Sequence, residues 1–222
     1  MKRIQRLILL QLKLFLLWQF AAMPSALASD DWQYWNEFQL KHSIKKNLDL
    51  RLKAEQKLRD DFTDLFLNNY EVGLIFKPSK HFEFGPLYKF EHEKSLSGQK
   101  TDENRVSLEG TLKWWHGDSK FSNRHKIEYR SIDGKESWRY RSRIKVSNPM
   151  KIADFMITPF IAEEIFYDTV PDQINQNRFS IGFSKQLSKN TELQIFFLLK
   201  SKRAGRDWDE VNVLGTTLCI SF

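Results

Sequence analysis

Cysteine is almost missing from this chain. Cys219 is the only one in 222 residues, so no internal disulfide can form and no paired-cysteine metal site can be built. There is no HExxH run and no glycine-rich phosphate loop, which removes the common zinc-hydrolase and nucleotide-binding signatures. After residue 28 the chain has no apolar run long enough to cross a bilayer as a helix. A helical membrane protein is excluded.

The N-terminus carries an address. Lys2, Arg3 and Arg6 form a basic start, Leu7 to Phe20 is mostly apolar, and Ala26-Leu27-Ala28 is a small-x-small cleavage site. The expectation is a cleaved signal peptide over residues 1–28 and one mature domain over 29–222, starting at Ser29. Lys13 interrupts the apolar run and argues against a retained helix, and no nearby cysteine offers a lipoprotein anchor. Lys2, Arg3, Arg6 and Lys13 leave with the signal, so the formal charge of +7 falls by four. The remaining balance gives no reason to expect nucleic acid as a partner.

What the chain has in abundance is alternation. In Leu48–Arg59 (LDLRLKAEQKLR) the even positions are apolar apart from Gln56, and every odd position is charged. On a helix Leu48, Leu50 and Leu52 would scatter around the cylinder; on a strand they share one face. The same period recurs in 32–44, 65–76, 81–93, 104–115, 176–187 and 211–222. Residues 156–167 and 192–202 are further strands, the first with its inward face left open by adjacent Glu163 and Glu164, the second too apolar at its centre to define its faces. Seven Trp and eighteen Phe suit the aromatic girdles of a membrane barrel.

Asp133-Gly134 supplies an internal check, because Asp-Gly favours a two-residue hairpin loop. Closing the hairpin there predicts Glu128 opposite Arg139, Lys126 opposite Arg141 and Arg124 opposite Arg143. It also sets Tyr129 against Trp138 and Ile127 against Tyr140. Charged positions meet charged ones, and aromatic positions meet apolar ones.

The fold expected is therefore all-β: an antiparallel up-and-down transmembrane β-barrel of about 10–12 strands in the outer membrane of a Gram-negative bacterium. Eleven strand candidates can be counted, whereas bacterial single-chain barrels have an even number. Either 32–44 is not a wall strand, leaving ten, or a further strand makes twelve. Short lysine-bearing turns near residues 45–47, 77–81 and 188–191 are expected at the periplasmic rim with the C-terminus. Longer connections at 95–102, 168–175 and 204–209 are expected outside the cell. The competing architecture is a soluble periplasmic β-barrel or sandwich, with the apolar face turned inward.

The motifs NRHKIEYR (123–130), WRYRSRIKV (138–146), ITPFIAEEIFYD (157–168) and NQNRFSIGFS (175–184) resemble the uncharacterised bacterial outer-membrane barrel family known as domain of unknown function twenty-four ninety. That resemblance implies a fold and a location, and it implies no activity or functional residue.

For function, alternation turns a charge set toward the lumen: Arg124, Lys126, Glu128, Arg130, Arg139, Arg141, Arg143, Arg178 and, with its parity open, Glu163 or Glu164. Two readings follow. One is a small channel for anionic solutes; the other is a barrel filled by Arg–Glu pairs with a structural role in the envelope. His42-Ser43 and Ser122 near His125 resemble the Ser/His pairs of lipid-modifying barrels, which keeps a lipid acyl hydrolase as an alternative. A strand holds each such pair on opposite faces, so no catalytic residue, metal or cofactor is assigned. The expected partners are outer-membrane lipid and the barrel insertion machinery, met through the terminal Phe222. The expected state is a monomer.

Overall fold

The computed structural model describes residues 32–222; the expected signal segment and the start at Ser29 lie outside the described residues. The strands are β1 (Trp32–Lys45), β2 (Leu48–Arg59), β3 (Asp64–Ser79), β4 (Phe82–Lys94), β5 (Lys100–His116), β6 (Ser119–Ile132), β7 (Lys135–Ser147), β8 (Met150–Ile152), β9 (Phe155–Asp168), β10 (Gln173–Gln186), β11 (Thr191–Ala204) and β12 (Asp207–Ser221). Each wall strand pairs antiparallel with its sequence neighbours, β9 following β7, because β8 is a three-residue stub paired only to the start of β9. The wall closes where β1 lies parallel to β12, from Trp32↔Asn212 to Lys41↔Ser221. Closure leaves no open edge, so the ladders pair strand to strand rather than with water.

Eleven wall strands result, and the even count expected from sequence does not hold. An odd number sends the first and last strands in the same direction, which is why their contact is parallel. Residues 32–44 belong to the wall. Trp32 therefore sits at one rim, with the turns after β2, β4, β6, β9 and β11. Phe222 sits at the other, with the turns after β1, β3, β5 and β10. Loop length does not separate the rims as expected. Strands run into the expected long loops, starting β5 at Lys100 and β10 at Gln173. The two-residue Asp133-Gly134 turn lies at the Trp32 rim, while the segment carrying β8 lies at the Phe222 rim.

The Asp133-Gly134 hairpin forms in the predicted register, with Glu128↔Arg139, Lys126↔Arg141, Arg124↔Arg143, Tyr129↔Trp138 and Ile127↔Tyr140. Both turn residues have positive φ, 47° and 80°, as a twist-matched two-residue loop requires.

Burial decides between barrel and soluble sandwich. Tyr70 is 60% exposed and Val106 and Leu108 are each 55% exposed, whereas Arg105 is 4% and Glu128 0% exposed. The protein is apolar outside and charged within, as a lipid-spanning barrel must be. Aromatic residues mark both borders of the apolar belt. Phe76–Phe84, Phe82–Phe84 and Trp114–Phe121 pack toward the Phe222 rim. Tyr34–Phe62 and Tyr129–Trp138 pack toward the other.

The belt is interrupted on one side. Asn123 and His125 of β6, Ser142 of β7 and Glu163 of β9 point outward, with apolar residues both before and after them on their strands. Glu163 is thus not part of the lumen set, and its assignment there is corrected. The inward parity of β7 is fixed by its hairpin, and Glu164 lies directly across from Arg143, so Glu163 must face out opposite Ile144. A carboxylate at mid-belt is unfavourable against lipid, though less so than Arg or Lys at ~2–4 kcal/mol.

Gly85 lets β4 approach β3 beside Pro86. A Cβ built there would lie 1.7 Å from the Leu74 carbonyl oxygen and 2.8 Å from its carbonyl carbon. Backbone atoms cannot rotate aside as a side chain can. Gly85→Ala is expected to destabilise the barrel by roughly 3 kcal/mol, read as a lower urea midpoint in detergent. Gly110→Ala, whose nearest contact would be Phe82 at 3.8 Å, is expected to leave the midpoint unchanged; equal effects would sink the argument.

Candidate functional site: an ion-paired lumen

Alternate residues of each strand point into the lumen, and their charges join across it. Arg51 of β2 donates from Nη1 to Glu109 Oε1 of β5 at 2.9 Å and from Nη2 to Glu71 Oε1 of β3 at 3.1 Å. Lys126 of β6 reaches Glu71 Oε2 at 3.0 Å. Arg124 donates to Glu164 Oε1 at 2.7 Å, spanning β7. Arg141 bonds Glu128 at 3.0 Å and Glu164 at 2.9 Å. Toward the Trp32 rim Arg130 holds Glu103 at 2.7 Å, and Arg139 forks onto Asp168. Arg51–Glu109 and Lys126–Glu71 each skip two strands, and with the pairs between nearer strands they make one network of struts across the inner face.

Struts of this kind offset the cost of removing charge from water, since each carboxylate meets one or more cations. They also occupy space. What remains is a cavity of about 680 Å³, whose lining runs from Lys41 and Lys120 to Glu93 and Lys202.

Seven lining cations stand apart from the pairs: Lys41, Lys120 and Lys202 near the rims, and four deeper in the lumen. Among the described residues no carboxylate lies within ion-pair distance of Arg143, Lys145, Arg178 or Lys200. Three of them lie against rings. Arg178 sits between Trp35 at 4.8 Å and Phe166 at 4.7 Å. Lys145 stands 3.8 Å from the Phe160 centroid and donates to Gln194 Oε1 at 3.0 Å, and Lys200 is 6.0 Å from Trp35. A ring face attracts a cation through its quadrupole without cancelling its charge. The β7–β11 side of the lumen is lined by more cationic than anionic side chains.

All the lumen residues singled out from sequence, Glu163 excepted, lie on the inner face. The structure separates them into two groups: Arg124, Lys126, Glu128, Arg130, Arg139, Arg141 and Glu164 in the struts, and Arg143 and Arg178 among the unpaired cations. Sequence reading missed Glu103 and Asp168, which had been left outside their strands, and Lys200, whose strand is apolar at its centre. It also passed over Trp35, Phe160 and Phe166. Parity was the available signal, since Trp35 shares its parity with Glu37, and Phe160 and Phe166 share theirs with Glu164.

The Ser/His pairs straddle the wall. Ser43 donates to Asp49 at 2.9 Å while His42 packs outside on Phe222 with centroids 5.3 Å apart. Ser122 lines the cavity, and His125 faces out to bond Tyr140.

The family described as protein of unknown function, DUF2490, matches residues 32–210. The chain belongs to that family. No curated protein matches it. Among solved structures it is similar to a KdgM porin in complex with disordered oligogalacturonate, at 14% identity and TM-score 0.46, covering 84% of this chain and 96% of that one. It is similar to the β domain of the Bordetella autotransporter BrkA at 11% identity and TM-score 0.46, covering 76% and 81%. For the anion-selective porin of Comamonas acidovorans the values are 12% and 0.37, covering 77% and 56%. For this DUF2490 member, function has to be argued from the lumen.

Proposed function

We propose that this DUF2490 protein is a non-catalytic outer-membrane barrel that admits small anionic solutes to its lumen. The reading rests on the unpaired cations at the cavity wall. A carboxylate partner would neutralise them, whereas the ring and amide contacts made by Lys145, Arg178 and Lys200 leave the charge uncancelled, and Arg143 makes neither. Between low-dielectric walls such charge concentrates anions. The strut network fixes the bore and keeps any passage narrow.

The signal features of residues 1–28, with a mature chain proposed to begin at Ser29, support an outer-membrane location. Assembly follows from the C-terminal strand, whose Phe222 amide donates to the Lys41 carbonyl at 3.0 Å while its own carbonyl accepts from Ser43. An alternating strand ending in an aromatic residue suits recognition by the barrel insertion machinery. The Phe222 rim is then periplasmic.

Refolded protein in planar bilayers tests the reading. Small steady conductance with anion preference is expected. Silence at every voltage, or cation preference, overturns it in favour of a filled barrel stabilised by its struts.

A further inference from the structure

The outward polar patch has a geometry of its own. Asn123, Ile144 and Glu163 form one cross-strand row over β6, β7 and β9, and His125, Ser142 and Ile165 form the next. Glu163 and His125 therefore flank β7 on either side at nearly the same depth. Glu163 Oε1 accepts from Asn177 at 2.9 Å, and His125 Nδ1 is 2.6 Å from the Tyr140 hydroxyl. Among the described residues the second carboxylate oxygen and the imidazole Nε2 have no hydrogen-bond partner on their own barrel.

We infer that this face binds a second copy of the same chain. Two barrels inserted in the same direction are related by a two-fold axis along the membrane normal. With that axis beside Ser142, Glu163 of each barrel meets His125 and Asn123 of the other, an isologous contact made twice. The small Ser142 at the centre lets the walls approach. Acceptor and donor complementarity under the two-fold selects a second copy over lipid, whose acyl chains offer no donor at this depth. The side-by-side dimer proposed here departs from the monomer expected from sequence.

Cysteine crosslinking tests it in a Cys219→Ser background, with heat-modifiable gel mobility confirming that each variant is folded. Under copper-phenanthroline in membranes, Ser142→Cys should yield a covalent species of twice the chain mass. Leu52→Cys, outward on β2 across the barrel from β7, should not. Glu163→Leu should weaken self-association in detergent by about tenfold or more, as two intramembrane hydrogen bonds are lost together. Equal crosslinking at both positions, a product of some other mass, or an unchanged dissociation constant in Glu163→Leu overturns the proposal.

Discussion

Glu128→Leu is expected to lower the stability of the barrel by about 3–5 kcal/mol. Glu128 is wholly buried. Arg141 lies 3.0 Å away, with Arg105 at 3.6 Å and Lys126 at 3.7 Å. Leucine fills much of the volume, so the loss reports three cations left facing one another in a poorly hydrated space rather than a cavity. Arg141→Met added to Glu128→Leu should recover part of the loss, because a buried pair replaced whole by apolar groups is often neutral. The exposed pair His92–Asp102 serves as control, and Asp102→Ala should cost less than about 1 kcal/mol. Urea midpoints followed by tryptophan fluorescence in detergent measure all three variants against the parent. A Glu128→Leu midpoint no lower than that of Asp102→Ala would show the strut network to be energetically idle.

Reversing charge at two unpaired cations should change selectivity more than any other lumen substitution. Arg143 and Lys145 occupy successive inward positions on β7 and neither serves a carboxylate, so Arg143→Glu with Lys145→Glu removes no strut. At 4 Å a unit charge shifts an ion's energy by ~1 kcal/mol in water and ~4 kcal/mol at an effective dielectric of 20. Two reversals are therefore enough to turn anion preference into cation preference, seen as a change in sign of the reversal potential across a salt gradient. An unchanged sign would mean that solute does not pass these side chains. Arg141 is unsuitable for this purpose, because its substitution breaks struts and mixes folding with permeation.

Both predictions depend on a division that the sequence did not make. Arg141 and Arg143 look alike in WRYRSRIKV. They differ because Arg141 reaches Glu128 and Glu164, while Arg143 stands across from Arg124 on one side and from the already engaged Glu164 on the other. Such reach depends on strands far apart in the chain. The parity of adjacent Glu163 and Glu164 was open for a related reason. Within β9 either could face in, and the register with β7 decided it.

Alternation in segments such as Leu48–Arg59, together with the Asp133-Gly134 turn, determined by itself a two-faced wall and one hairpin's register, because strand geometry and turn sterics act within a few residues. Tertiary structure alone decided the closure, the odd strand number, and which cations are neutralised and which stay free. Those depend on the bore of the closed barrel and on distances between non-neighbouring strands, and local periodicity records neither.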